Sequence, residues 1–307
     1  MTVLRLPGLV DVHVHTRDPG QTHKEDWATA TAAALAGGFT TILAMPNTTP
    51  VVGDVVGLVA AAVAARRGAR CDYALYAGAT EGNAATVSAL APHVAGLKMY
   101  LNQTFGDLRL DDLETWWAHL EGWPREVPVA VHAEGPALGS VLLMAEWLQR
   151  PIHVCHVSRR DEITLIARAK DRGIPVTCEV TPHHLVLDET SADRLGSRAA
   201  VRPPLARPDD RSALWEHLEV IDCFATDHAP HTAEEKAGRN PLPGFPGLET
   251  AVALLLDAVH NGQMTVDDLR VRLHDNPRRI FHLGVSGDAA VEIDPDETWV
   301  VRAAELQ

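Results

Sequence analysis

Two histidines two residues apart, His13 and His15, close an apolar run that begins at Leu9. Side chains alternate along a β-strand, so both imidazoles leave one face at the strand's end and can chelate a metal together. Alone, such a pair is better explained by histidines that serve only the core. The rest of the chain shifts that balance. His132 ends the apolar run before Ala133-Glu134, Cys155-His156 ends another, and Glu179 ends a third. Asp227 ends a fourth, in Ala225-Thr226-Asp227-His228-Ala229-Pro230-His231. Imidazole, thiolate and carboxylate are zinc-ligand types.

Lys98 is the odd member, because an ammonium is costly in an apolar strand and a poor neighbour for a metal. A snorkelling or salt-bridged lysine is the plain explanation. The sharper one is a desolvated neutral lysine that has taken up carbon dioxide as a carbamate. That anionic group has two oxygens and can bridge two cations, which supplies a bridging carboxylate that the other residues lack.

These residues need elements to position them. Eight apolar segments read as strands: 9–15, 39–45, 71–77, 96–101, 127–132, 152–157, 174–180 and 220–226. Helical segments lie between most of them: 25–36 (closed by Gly37-Gly38), 54–67 with Asp54 as N-cap, a short 84–91, 110–120, 137–149, 161–172 and 212–218. Residues 181–210 read as irregular and 227–246 as loop, followed by helices at 248–261, 266–274 and 277–282. Continuous apolar strands alternating with helices imply a parallel sheet covered on its outside. Eight such units indicate an α/β chain folded as a (β/α)8 TIM barrel, which needs about 250 residues. A doubly wound open sheet is the alternative, but no GxGxxG or Walker-type loop follows any strand. In a barrel, active residues gather at the C-terminal strand ends, so the ligand-type residues would meet at one mouth.

The 307 residues are 46% hydrophobic and 22% charged, with a net charge of −14 and a pI of about 5.5. That argues against nucleic-acid or anionic-membrane partners, though not against a small anionic substrate held by local arginines. Four cysteines (Cys71, Cys155, Cys178, Cys223) show no CxxC pairing and no signal peptide precedes them, which points to free thiols in a reducing cytoplasm. The apolar stretches are too short or too interrupted to span a bilayer.

A set of motifs resembles the amidohydrolase superfamily and, within it, the dihydroorotases, most of all the dihydroorotase domain of the animal multifunctional pyrimidine-synthesis protein. They are Leu6-Pro-Gly-Leu-Val-Asp-Val-His-Val-His15, Asp18-Pro-Gly, Thr22-His-Lys-Glu25, Ala44-Met-Pro-Asn47, Gly96-Leu-Lys98, Val154-Cys-His156, Thr177-Cys-Glu179, Asp227-His-Ala-Pro-His231 and Gly244-Phe-Pro-Gly-Leu-Glu249. The resemblance implies that His13, His15 and Asp227 bind one Zn2+ and that His132 and His156 bind a second. Carboxylated Lys98 and a hydroxide would bridge the two. The hydroxide would attack the ring amide of dihydroorotate while Asp227 carries the proton to the leaving nitrogen. In biosynthesis the reaction would run as cyclisation of N-carbamoyl-L-aspartate.

The substrate is an anion. Arg17 lies two residues beyond His15, and its planar fork suits a carboxylate. By resemblance Asn47 shares that task, and Arg202, His231 and the backbone around Pro243 and Gly244 also contact substrate. The loop after Lys98 would be a lid that brings Thr104 and Phe105 over the ring. Cys155 and Glu179 stay open between two readings. With His13 they could hold a third zinc, or Cys155 packs as a small apolar residue and Glu179 orients a ligand.

Two departures stand out. The family often reads Leu-Arg-Glu after HxH, where this chain has Thr16-Arg17-Asp18. The accessory β domain common among amidohydrolases is expected to be short or missing: a barrel over 1–285 leaves 286–307 as a C-terminal extension that could be a remnant of it. Hydantoinase, dihydropyrimidinase and allantoinase share the metal residues, and Arg17 is what favours a carboxylate-bearing ring. An inactive homologue scaffolding aspartate transcarbamoylase would have lost ligands, and a purely structural zinc protein would not need Lys98 or the arginines. A homodimer and association with aspartate transcarbamoylase are expectations of resemblance only.

Overall fold

Eight runs of buried residues pair side by side in chain order, all parallel. They are β2 (Leu9–Val14), β3 (Phe39–Ala44), β4 (Asp72–Gly78), β5 (Gly96–Tyr100), β6 (Val129–His132), β7 (Ile152–Val154), β8 (Val176–Val180) and β9 (Cys223–Phe224). Outside them, β1 (Leu4–Pro7) and β10 (Ala290–Ile293) form a separate two-stranded antiparallel sheet. The computed structural model describes residues 3–104, 106, 108–284, 287–302 and 306.

The seam between β9 and β2 is closed by few bonds. His15 N donates to His228 O at 2.8 Å, and Val14 bridges His228 in parallel. Asp11 completes it: its carboxylate accepts from Thr226 N at 3.2 and 3.3 Å and from Thr226 Oγ1 at 2.5 Å. Burial lifts the Asp11 carboxyl to about 6, in spite of its bonds to Thr226 and to the His13 amide. The eight-stranded sheet is thus a barrel, and helices such as Trp27–Ala36, Leu113–Gly122, Pro136–Leu148 and Arg160–Asp171 run between its strands.

Alternation sorts the strand residues into two apolar layers. Leu9, Val14, Ile42, Leu75, Ala77, Leu97, Met99, Val129 and Val131 pack outward against the helices. Val10, Val12, Leu43, Met45, Tyr76, Ala130, Cys155, Cys223 and Ala225 fill the interior, with Phe281 edge-on to Tyr76. Each fully buried aliphatic or aromatic side chain contributes about 1.5–3 kcal/mol, so two closed layers stabilise the barrel and leave its mouth free to hold polar groups.

Simple alternation is not what aims the paired histidines. Asp11 lies opposite Ile42, but Val14 lies opposite Ala44, three residues against two. That bulge lets Val10 and Val12 fill the interior while Val14 still turns outward and the histidines flank it at the mouth.

Several boundaries differ from the sequence expectation. The stretch 181–210 is not irregular, because it holds helices Pro182–Val186 and Glu189–Leu195. Thr181 and Asp188 cap them by accepting from His184 N and from Thr190 and Ser191 N. The loop over 227–246 contains helix Ala233–Ala237, capped by Thr232. The last barrel strand shrinks to Cys223–Phe224, because Leu218–Val220 turns as a 3-10 helix. Asp54 does cap its helix, accepting from Gly57 N at 2.8 Å.

Candidate metal centre and substrate pocket

At the C-terminal end of the barrel, His13, His15, His132, His156 and Asp227 line one pocket together with Arg17, Asn47, Tyr100, Thr104, Arg202, Pro243 and Gly244. Every ligand-type residue of the mouth is buried. His13 Nε2 and His15 Nε2 stand 3.2 and 3.1 Å from the same atom, Asp227 Oδ1. The far side of each ring is engaged. His13 Nδ1 meets Glu179 Oε1 at 2.5 Å, and His15 Nδ1 donates to Asn47 Oδ1 at 2.7 Å. His15 therefore turns a bare nitrogen toward a carboxylate oxygen, an arrangement that a cation between them satisfies.

The charges tell the same story. Burial and Lys98 press His13 down, but Glu179 and Asp227 outweigh them and lift it to about 10. Burial works against ionised Asp227 as well, yet His13 and His15 hold it well below the usual carboxylate range. His15, by contrast, is brought down to about 4 by burial against the pull of Asp227. Burial and the neighbouring His132 keep His156 far below its ordinary value, and burial lowers His132. Neutral His15, His132 and His156 beside ionised Asp227 are metal-ligand forms, and His13 joins them once a cation takes the place of its proton.

Among the described residues, two groupings bring donor atoms within 4.8 Å of one another: His13, His156 and Asp227, and His13, Cys155 and Glu179. His156 Nδ1 is buried without a partner among the described residues, and its ring centroid lies 4.4 Å from that of His132. The orphaned nitrogen, the convergent oxygen and the soft thiol all fit a borderline-soft divalent cation such as zinc.

Lys98 is 0% exposed, so it does not snorkel. Among the described residues it forms no ion pair. Its Nζ donates to Cys155 Sγ at 2.8 Å and sits 5.0 Å from the centroid of the Tyr100 ring. A buried ammonium without a carboxylate costs several kcal/mol.

Backbone strain marks the same place. Arg17, His156 and Asp227 have positive φ values of 60°, 35° and 48°. Non-glycine residues pay about 1–3 kcal/mol each for such conformations. Of the other two described cases, Gln149 closes a helix and His282 follows one. Gly244 is held to glycine by a close approach: a Cβ there would lie 2.2 Å from Ala229 O, at φ 150°.

The substrate-side residues are mostly gathered. Arg17 is buried, with Nε donating to Pro230 O at 3.1 Å and Nη2 standing 3.1 Å from His231 Nε2. Burial pulls its guanidinium down only to about 10, so it stays cationic. His231 stands behind Arg17 rather than on the pocket lining. Burial, Arg17 and Lys24 bring it down to about 3, and the neutral ring meets Lys24 Nζ through Nδ1 and Pro243 O through Nε2. Arg202 lines the pocket from its exposed rim. Thr104 lines it too, while Phe105 lies outside the described residues.

Some residues of the site escaped the sequence reading. Tyr100 follows Lys98 on the same face, and its buried hydroxyl has no partner among the described residues. Strand alternation from Lys98 was the signal for it. His153 meets Glu179 Oε2 at 3.1 Å and Thr177 Oγ1 at 2.9 Å. His228 reaches Glu25 Oε2 at 2.8 Å while its Nδ1 accepts from Gly247 N at 3.1 Å, which ties three mouth loops together. Glu162 accepts from Gly135 N and Ser158 N, joining the loops after His132 and His156. Burial and His184 keep His183 far below its ordinary value, and its Nε2 is unpartnered among the described residues.

A parallel barrel with histidines, a carboxylate and a buried lysine at its C-terminal mouth defines an amidohydrolase-type barrel. A family model described as dihydro-orotase-like matches residues 2–103. A dihydroorotase from Pyrococcus horikoshii is 36% identical, with 97% of this chain and 73% of that protein covered. The chain belongs to the dihydroorotase family of cyclic amide hydrolases. The multifunctional protein CAD of Squalus acanthias is 51% identical over 97% of this chain, which spans 13% of that protein's length. The inactive dihydroorotase-like domain of a Chaetomium thermophilum CAD-like multifunctional protein has a TM-score of 0.85 and 32% identity, covering 100% of this chain and 88% of that one. An L-hydantoinase from Arthrobacter aurescens shares the fold, with a TM-score of 0.87 at 24% identity, over 93% and 75% of the two chains.

Proposed function

We propose that this chain is a zinc-dependent dihydroorotase that interconverts N-carbamoyl-L-aspartate and L-dihydroorotate in pyrimidine biosynthesis. The observation that carries this reading is a buried, cationic Arg17 in the same pocket as the His13, His156 and Asp227 donor group. A ring that bears a carboxylate needs both; a neutral cyclic amide needs only the second.

In this reading His13, His15 and Asp227 would hold one zinc, His132 and His156 a second, and Lys98, as its carbamate, would supply an anionic ligand between these two sets. Cys155 and Glu179 with His13 are the candidate ligands of a third. Zinc bound there supplies Lewis acidity toward an amide carbonyl and makes a water molecule more acidic. The chain's own residues do the rest. Asp227 takes a proton from the attacking water and returns it to the ring nitrogen. Arg17 binds the substrate carboxylate, a charge-assisted contact worth about 1.5–3 kcal/mol. Asn47 lies beside it and also orients His15. Arg202, Pro243 and Gly244 complete the cradle, His231 backs Arg17, and the loop with Thr104 and Phe105 excludes water.

The sheet of β1 and β10 supports reading residues 286–307 as the remnant of an accessory domain behind a barrel over 1–285. A homodimer, a cytoplasmic location and association with aspartate transcarbamoylase belong to the same proposal. No described helix is long and apolar enough to cross a membrane.

A second reading has one observation in its favour: a structural relative 32% identical is named inactive. Against it, this chain keeps every candidate ligand. The assay that decides is ring opening of L-dihydroorotate beside dihydrouracil, which lacks the carboxylate. Turnover of the first alone supports the proposal. Turnover of dihydrouracil alone would favour a dihydropyrimidinase, and turnover of neither would favour the inactive homologue.

A further inference from the structure

A second cavity opens beside the catalytic pocket, and Arg202 and Pro243 belong to the walls of both. Arg239 and Asn240 form its outer side. Arg202 and Arg239 are exposed. Other arginines, such as Arg160, Arg172 and Arg211, are matched with carboxylates. Arg202 and Arg239 are in no ion pair among the described residues, although Arg202 helps to lower the Glu134 carboxyl through space. The place is built rather than incidental. Lys236 Nζ donates to Ala200 O at 2.7 Å, Gly244 O at 2.9 Å and Leu242 O at 3.2 Å. It thereby clamps the two segments that carry the two arginines.

The charge of this cavity runs against that of the chain. A net charge of −14 repels an anion at long range. Salt screens that repulsion beyond about 8 Å at physiological ionic strength, so within that distance the nearest charges decide. A concave wall of one sign concentrates its field and raises the local concentration of the opposite ion.

We propose that this cavity is an anion vestibule, in which Arg239 and Arg202 receive a small carboxylate-bearing dianion and hand it to Arg17 in the catalytic pocket. The proposal deepens the dihydroorotase reading and rests on it for the identity of the dianion. It assigns Arg239 to substrate capture.

The test measures calorimetric binding of N-carbamoyl-L-aspartate, and its rate of cyclisation, at low and high ionic strength. Arg239→Gln is compared with the unaltered chain. Arg172→Gln, remote and paired with Glu146, controls for the same change in net charge. The vestibule predicts that Arg239→Gln weakens binding and kcat/KM about fivefold at low salt, that the gap closes at high salt, and that Arg172→Gln behaves as the unaltered chain. Identical salt dependence of Arg239→Gln and the unaltered chain overturns it, as does an equal effect of Arg172→Gln. Binding with the expected dependence on Arg239 but no turnover would sustain the vestibule and sink the dihydroorotase reading. No binding by the unaltered chain would overturn the vestibule.

Discussion

Glu179 Oε1 lies 2.5 Å from Nδ1 of His13, with both side chains buried inside the barrel. The other carboxylate oxygen reaches His153 at 3.1 Å. Burial disfavours the ionised carboxylate, but His13 and His153 outweigh it and hold Glu179 well below the usual range. This bond fixes the ring of the histidine that belongs to both donor groupings. Glu179→Gln should weaken metal retention about 10–100-fold, as expected when the partner of a ligating histidine is altered. Competition with a graded chelator, read by metal analysis, measures it. Unchanged retention would remove Glu179 from the centre.

Arg17 offers its guanidinium from a backbone conformation at φ 60°, backed by Pro230 O and His231. Arg17→Gln removes the charge while leaving a polar side chain. Loss of a charge-assisted contact of about 1.5–3 kcal/mol corresponds to a rise in KM for L-dihydroorotate of roughly ten- to more than a hundredfold. An unaltered KM would move the substrate carboxylate elsewhere in the pocket.

The Tyr100 hydroxyl is buried in the pocket wall without a protein partner among the described residues. A hydrogen-bonded structural hydroxyl would contribute about 1 kcal/mol to folding, whereas a buried orphaned one costs about 1–3 kcal/mol. Tyr100→Phe should therefore raise the Tm of the ligand-free protein and lower turnover about tenfold. A lowered Tm with full turnover would make the hydroxyl purely structural.

Glu162 supplies a pH signature away from the metal ligands. Burial lifts it from 4.5 to about 7, against its bonds to the Gly135 and Ser158 amides. The folded pKa lies above the unfolded one, so between those values the folded chain keeps a proton that the unfolded chain has released. The stability this gives is complete below pH 4.5 and is lost as pH rises through about 7. The slope in that window approaches about 1.4 kcal/mol per pH unit. Glu162→Gln should flatten that stretch of a denaturant-midpoint profile. Equal slopes for the two proteins would contradict the assignment.

Much of this was legible in the residues, and for different reasons. The barrel followed from eight apolar runs, because a strand buried on both faces cannot be polar on either. The mouth residues followed because barrel chemistry collects at strand ends. What alternation could not supply was the bulge in β2, since one extra residue depends on pairing with β3. Asp11 and His228 were passed over because their partners, Thr226 and Glu25, are distant in sequence. The helices within 181–210 were hidden by short length and prolines, and their capping residues became decisive only once the segment packed. Asn47 lines the pocket and also places its carbonyl on His15, a contact that no local pattern encodes.

The central claim joins Lys98, the metal centre and the carboxylate pocket into one activity. Its most direct test is ring opening of L-dihydroorotate by the purified chain, stripped with chelator and reloaded with zinc in bicarbonate, beside Lys98→Ala treated in the same way. The account predicts that reloading restores turnover to the unaltered chain, and that Lys98→Ala retains less metal and loses activity by several orders of magnitude. A zinc-loaded chain without turnover, or a fully active Lys98→Ala, would contradict it.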